Sequence, residues 1–233
     1  MSKPVCVIIG IGPGNGVSFA RKFSAEGYSV ALCARNERYL NEIADNIPNA
    51  GAYPYDVRDV EKAPEVFARI REDLGPVSAL LYNAGPGEFV NIDNTSLDML
   101  QQAWEINTRG LFVTTQEVLP DMRKIGGGNI VVSGATASLR GGANAAPFAS
   151  AKASQRTLAQ SMARHLGPQK IHVSYVIIDG LIDMPSARAM VPDKPDDFFL
   201  SPDHIADAVY YLTEQPQSAW TFELDVRPYG EKW

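Results

Sequence analysis

The sequence predicts an α/β fold built on a doubly wound parallel sheet with helices on both faces. Three observations carry that expectation. Short apolar runs alternate strictly with helix-period segments along the chain, which implies parallel strands joined by helical crossovers. The runs are almost continuously apolar, the pattern of strands covered on both faces. No internal repeat, low-complexity tract or long linker interrupts the alternation, so residues 1–233 read as a single domain.

The elements follow in order. Residues 5–10 form the first strand, and an amphipathic stretch over 17–26 stops at Gly27, a residue suited to a helix C-terminus. Residues 29–34 are the second strand, followed by a helix over 36–46 and a short third strand over 52–55. A helix over 59–74 is ended by Gly75-Pro76, and residues 77–82 are a fourth strand. A long helical region spans 97–124, expected in two pieces. Residues 129–133 are a fifth strand, 148–166 a helix and 171–178 a sixth strand. A helix over 202–213 and a strand over 222–226 close the chain. The segment 181–200, rich in Pro, Asp and Met, has no clear period. Its place after the sixth strand suits a substrate lid.

Composition narrows the function classes. With 45% hydrophobic and 21% charged residues the chain has the balance of an ordinary globular protein. A net charge of −6, with no basic run, argues against a nucleic-acid partner. No stretch approaches the roughly 18 apolar residues of a membrane span. The start, Met1-Ser2-Lys3-Pro4, enters a strand directly and lacks a signal-peptide cleavage site, so a cytoplasmic location is expected. Cys6 and Cys33 lie inside apolar runs and read as buried thiols. His165, His172 and His204 are scattered without ligand spacing, and no metal site is expected.

The first strand runs into Gly10-Ile11-Gly12-Pro13-Gly14-Asn15-Gly16, and a helix follows at once. Small residues there permit unusual backbone angles, close approach to a pyrophosphate and tight packing of helix on strand. The helix N-terminus adds free N–H groups and a positive dipole end. Dinucleotide binding is the expectation, against a merely structural turn. The spacing is not G-x-G-x-x-G but Gly10-x-x-x-Gly14-x-Gly16.

That turn, Asp56-Val57 after the third strand, Asn83-Ala84-Gly85 after the fourth, and Asn107 in Trp104-Glu105-Ile106-Asn107 appear in one order. Together they resemble the short-chain dehydrogenase/reductase family over nearly the whole chain. Ile9 stands where the family's fingerprint threonine would be. The resemblance implies a Rossmann-type fold, a nicotinamide cofactor, an adenine contact at Asp56 and Val57, and a homodimer or homotetramer paired through the helices near 100–124 and 148–166. It places Gly10, Gly14, Asn15, Gly16, Asn83, Ala84, Gly85, Gly180 and Ile182 among the cofactor contacts. Arg35 directly follows the second strand, where NAD-selective domains carry an acid. A planar cation there suits a 2′-phosphate, so NADP(H) is favoured over NAD(H).

The family's Tyr-x-x-x-Lys pair sits one helical turn apart, the lysine lowering the phenol pKa and holding the nicotinamide ribose. The matching stretch here is Phe148-Ala149-Ser150-Ala151-Lys152, and the family's serine position is Ala135. Asn107 and Lys152 thus fill two of four catalytic positions, while Phe148 and Ala135 carry no donor. The loop after the sixth strand has Asp179-Gly180 for Pro-Gly, and Met184 where a cofactor-contacting threonine is usual. Ser133, Thr136, Ser138 and Asn144 are nearby polar groups, read as loop polarity, and Tyr175 reads as core. Three functions stay open at this point: an oxidoreductase on a small, largely apolar carbonyl or enone, an inactive NADP(H)-binding sensor or assembly protein, and an elimination or isomerisation catalyst. Its substrate pocket is expected near 86–91, 137–144 and 181–200, with Trp220, Tyr229 and Trp233 as further wall or interface residues.

Overall fold

The computed structural model describes residues 3–85 and 89–230. Seven strands form one all-parallel sheet in the order β3-β2-β1-β4-β5-β6-β9. They are β1 (Val5–Ile9), β2 (Ser29–Ala34), β3 (Ala50–Pro54), β4 (Val77–Tyr82), β5 (Gly128–Ser133), β6 (Ile171–Ile178) and β9 (Glu223–Val226). The two-stranded remainder, β7 (Leu181–Ile182) and β8 (Phe199–Leu200), forms a separate ribbon. This is a Rossmann-type doubly wound fold, with helices on both faces of the sheet.

Burial explains the unbroken apolar runs. Every residue of β1 and β6 is buried, because both strand faces meet helices. On one face pack α3 (Ala63–Leu74), α5 (Gly110–Ile125) and α6 (Ala146–Leu166) through Phe67, Ile70, Leu111, Val118, Met122 and Met162. On the other pack α1 (Asn15–Ala25), α2 (Glu37–Asp45) and α8 (Pro202–Thr213) through Phe19, Phe23, Leu40, Ile205, Val209 and Leu212. Deleting one such side chain, as in Phe67→Ala, costs ~3–5 kcal/mol by lost burial and an unfilled cavity.

The boundaries depart from the expected ones for local reasons. Helix α1 begins at Asn15, two residues before the apolar period starts, since Asn15 and Gly16 hold helical backbone without contributing to that period. Strand β3 begins at Ala50 because its ladder with β2 starts at Val30↔Ala50; as a half-buried edge strand it lacks the apolar signature. The region near 97–124 is three pieces, not two: α4 (Leu97–Trp104), a π-helical turn (Glu105–Arg109) and α5. Helix α6 opens at Ala146, with Pro147 in its first turn where the missing N–H is harmless.

The 181–200 segment is ordered. The β7–β8 ribbon pairs Leu181↔Phe199 and Ile182↔Leu200 around α7 (Pro185–Met190). Arg188 clamps it: Nε and Nη2 donate to Asp183 at 2.7 and 2.8 Å, Nη1 donates to Asp196 at 2.6 Å, and the guanidinium covers the Phe199 ring. Trp220 and Tyr229 do not line the cleft described below. Trp220 stacks on the buried His172 ring at 4.7 Å, closing the core, and Tyr229 lies on the surface with its hydroxyl donating to Asp197. Trp233 and residues 86–88 lie outside the described residues. Among the described residues no helix is long and apolar enough to cross a membrane, and no His, Cys, Asp and Glu group could hold a metal.

Candidate active site

The strand order reverses between β1 and β4, and loops at the C-terminal ends of these strands part there to leave a crevice. The glycine turn forms one wall. Gly10 has φ +96°, and a Cβ on it would lie 2.5 Å from the Ala84 backbone nitrogen. A Cβ on Gly16 would lie 2.7 Å from the Gly10 carbonyl oxygen. Both positions therefore require glycine: the end of β1 closes on the Asn83-Ala84-Gly85 loop at Gly10, and the first turn of α1 closes on Gly10 and Ile11 at Gly16, with no room for a side chain. Asn83 ties them together, its N–H donating to the Ile9 carbonyl at 2.8 Å and Nδ2 to the Gly10 carbonyl at 2.8 Å. Gly14 instead faces Ile182 and Met184 of the ribbon segment. Asn15, in the first turn of α1, is buried with an unpartnered Oδ1.

One lobe of the crevice, about 510 Å³, is lined by Gly10, Arg35, Asp56, Val57, Arg58, Asn83, Ala84 and Gly85, with Cys33 and Tyr55 behind them. Arg35 is exposed, immediately beyond β2, and its guanidinium makes no hydrogen bond or ion pair among the described residues. Asp56 is engaged. Arg58 Nε lies 3.1 and 3.2 Å from its two carboxylate oxygens, Nη2 lies 2.7 Å from Oδ2, and the Arg58 N–H donates to Oδ1 at 3.0 Å. That chelation holds the Asp56 carboxyl below its ordinary pKa, with partial burial opposing and Arg35 adding a smaller pull. An exposed unpaired cation beside a turn in which Gly10 and Gly16 leave no room for a Cβ fits the phosphates and ribose of a dinucleotide.

The second lobe, about 300 Å³, shares Asn83 and Gly85 with the first and adds Asn15, Phe89, Ser133, Ala135, Thr136, Phe148, Lys152, Gly180 and Ile182. Lys152 is its one ionisable side chain among the described residues, and it is 5% exposed. Its Nζ donates to the Ser133 carbonyl at 2.8 Å and to Gln155 Oε1 at 3.1 Å. Burial lowers its pKa from the ordinary 10.5 to about 7. Asn107 sits in the π turn, wholly buried, with Nδ2 donating to Ala103 at 2.9 Å and Oδ1 unpartnered. A Cβ on Gly85 would lie 2.6 Å from Asn107 Oδ1 and 3.2 Å from Lys152 Nζ, so one point separates these two groups.

The structure thus brings Asn107 and Lys152 together, and the apolar Phe148 and Ala135 line the same lobe as Lys152. The Phe148 ring centre lies 5.9 Å from Lys152 Nζ and 5.5 Å from the exposed Phe89 ring. Two of the nearby hydroxyls are committed: Thr136 Oγ1 donates to Asp179 Oδ1 at 2.5 Å and Ser138 Oγ to the Ala135 carbonyl at 2.7 Å. Asn144 is exposed, and Tyr175 is fully buried, as its strand position predicts.

Two residues of the site escape sequence reasoning: Gln155, which bridges Lys152 and the Asn107 carbonyl (2.8 Å), and Arg58; Asp179, visible in sequence only as a departure from Pro-Gly, holds Thr136 and pairs with Arg227 at 3.4 Å. Only Arg58 had a local signal, two residues after Asp56.

Residues 4–194 match the short-chain dehydrogenase family, and the chain belongs to it. An uncharacterized oxidoreductase of Staphylococcus aureus (strain USA300) is 25% identical over 230 residues, 98% of each chain. Among solved structures, a short-chain dehydrogenase from Rhodopseudomonas palustris superposes with a TM-score of 0.84 at 34% identity, covering 97% of this chain and 99% of that one. An alcohol dehydrogenase from the archaeon Thermococcus sibiricus, in complex with 5-hydroxy-NADP, superposes at 0.89 with 25% identity over 99% of both chains.

Proposed function

We propose that this chain is an NADP(H)-dependent oxidoreductase acting on a small, largely apolar carbonyl or enone compound, and that it manages the proton without a tyrosine. The observation that carries the reading is the continuity of the two lobes. A cleft rimmed by the unpaired Arg35 and the glycine cradle opens, past Asn83 and Gly85, into an apolar chamber whose one ionisable group among the described residues is Lys152. The 5-hydroxy-NADP held by the archaeal alcohol dehydrogenase supports the same choice of cofactor. When bound, the nicotinamide would supply or accept hydride.

The chain's own groups do the rest. Gly10, Gly14, Asn15 and Gly16 admit the pyrophosphate to the α1 N-terminus, Arg35 pairs with the 2′-phosphate, and Asp56 and Val57 border the adenine. Asn83, Ala84, Gly85, Gly180 and Ile182 hold the nicotinamide half against the second lobe. Lys152 holds the ribose and, with a pKa of about 7, can keep or release a proton at neutral pH. The free Asn107 Oδ1 stands beside it to accept from a hydroxyl or a water on that path. Phe148 and Ala135 give this lobe apolar walls and polarise nothing. Loss of a dedicated general acid costs ~10²–10⁴-fold, so activated carbonyls and enones are the substrates that tolerate it. The same Phe148 and Ala135 favour a second reading, an NADP(H)-binding sensor or assembly protein without turnover.

The test is a titration with NADPH and NADH read by nicotinamide fluorescence. NADPH should bind more tightly, and Arg35→Ala should weaken it ~10- to 100-fold by removing a charge-assisted phosphate contact. Absence of saturable binding by either dinucleotide refutes both readings. The chain is further proposed to pair with itself, as a homodimer or homotetramer. An apolar groove of about 360 Å³ between Leu97, Leu100 and Trp104 on α4 and Ser150 and Ala151 on α6 supports the helix-to-helix pairing.

A further inference from the structure

The adenosine lobe holds a charge problem that Arg35 alone does not solve. Asp56 carries a carboxylate into the lobe proposed to take a 2′-phosphate, and two anions in one cleft repel unless one is neutralised. Arg58 neutralises it. Three of its N–H groups, the backbone one included, converge on the Asp56 carboxylate, engaging both oxygens. The pair is partly exposed, with side-chain exposures of 37% for Arg58 and 28% for Asp56, so it contributes little to stability. What it changes is the local charge. Arg58 Nη1 makes no hydrogen bond among the described residues, although Nε and Nη2 are spent on Asp56. The backbone beneath is fixed independently of that side chain, since the Arg58 carbonyl accepts from Arg109 Nη2 at 2.9 Å and Arg109 is paired with Glu105 at 3.2 Å.

We propose that Arg58 is a second determinant of NADP(H) preference: it cancels the Asp56 carboxylate and leaves Nη1 to share the 2′-phosphate with Arg35. The inference rests on the dinucleotide reading of the cleft. It makes Asp56 and Arg58 one device. With Arg58 in place the lobe carries the net positive charge of Arg35. Without it the lobe carries a bare carboxylate that tolerates a ribose 2′-hydroxyl and repels a 2′-phosphate.

The experiment is calorimetric titration of the wild type, Arg58→Ala and the double variant Asp56→Asn/Arg58→Ala with NADPH and with NADH, each protein first shown to melt at the wild-type temperature. Arg58→Ala should weaken NADPH at least ~10-fold and change NADH by less than ~3-fold, because only the phosphate meets the exposed carboxylate. The double variant should recover the part of the NADPH loss that comes from the bared carboxylate, but not the part from the lost Nη1 contact, a partial rescue that a merely structural role for Arg58 does not produce. A wild type that binds neither dinucleotide overturns the reading of the cleft and this inference with it. A wild type that prefers NADPH, with Arg58→Ala weakening neither or both cofactors equally, overturns the role of Arg58 alone. Failure of Asp56→Asn to rescue overturns the neutralisation argument.

Discussion

Lys152 is a charge carrier placed where charge is unfavourable, and folding stability should report it. The residue is 5% exposed and its pKa in the folded chain is about 7, against an ordinary 10.5 in the unfolded one. Between those values the unfolded chain binds a proton that the folded chain does not, so stability rises with pH through that window. A difference of one in pKa is worth about 1.4 kcal/mol, so the full displacement is on the order of 5 kcal/mol. Integrated from pH 6 to pH 9, about 3 kcal/mol of it is regained. Below pH 7 the folded state either buries an ammonium or loosens to hydrate it. Lys152→Met keeps the length of the side chain and removes the titration. Urea unfolding at pH 6, 7.5 and 9, without cofactor, measures the effect as the difference between wild type and variant. The buried thiols and phenols titrate with the opposite sign, their pKa values being raised by burial, and cancel in that difference. The wild type should gain about 3 kcal/mol relative to Lys152→Met across this range. Parallel pH dependences would refute the claim that Lys152 is held dry.

The remaining expectations are more local. The double variant Ala135→Ser/Phe148→Tyr installs a donor pair over an intact Lys152 and Asn107; NADPH oxidation with a panel of small ketones should rise ~10²–10⁴-fold, and no rise means that the lobe does not place a carbonyl there. Gly85→Ala drives a methyl to within 2.6 Å of Asn107 Oδ1 and 3.2 Å of Lys152 Nζ. Its stability should fall by ~1–3 kcal/mol, and an unchanged melting temperature contradicts the stated packing. Trp104, 45% exposed beside Leu97 and Leu100, lies in the proposed pairing surface. Trp104→Glu should yield monomers in light scattering, and an unaltered mass moves the interface elsewhere.

Much of this architecture was legible because it rests on patterns local in sequence. The strands announced themselves through apolar continuity, and the glycine turn through a spacing that steric exclusion at Gly10 and Gly16 explains. Arg35 was readable from its position one residue past β2. What escaped depends on side-chain direction across the fold. Thr136 meets Asp179 across 43 positions and Arg71 meets Asp121 across 50, distances at which no periodicity speaks. Lys152 could be placed on its helix but its depth could not, since its neighbours Ala151 and Ala153 fit a surface as readily as a core. Trp220 escapes for the opposite reason: an aromatic ring near a chain end fits a pocket wall, an interface or core closure equally, and its stacking partner, His172, lies 48 positions earlier on β6.

The π turn at Glu105–Arg109 sets the angular phase between two surfaces. Its widened ring leaves main-chain carbonyls that distant side chains collect: the Tyr82 hydroxyl donates to that of Ile106, and Gln155 Nε2 to that of Asn107. Each residue of an α-helix advances about 100° around the axis. Removing one residue from this turn to restore a plain α-helix therefore rotates α4 by about that angle relative to α5. Asn107 would swing away from Lys152, or the row of Leu97, Leu100 and Trp104 would swing away from its groove. The proposed site and the proposed pairing surface are in this way geared to one another, and single-residue insertions or deletions should be tolerated less well here than in any loop.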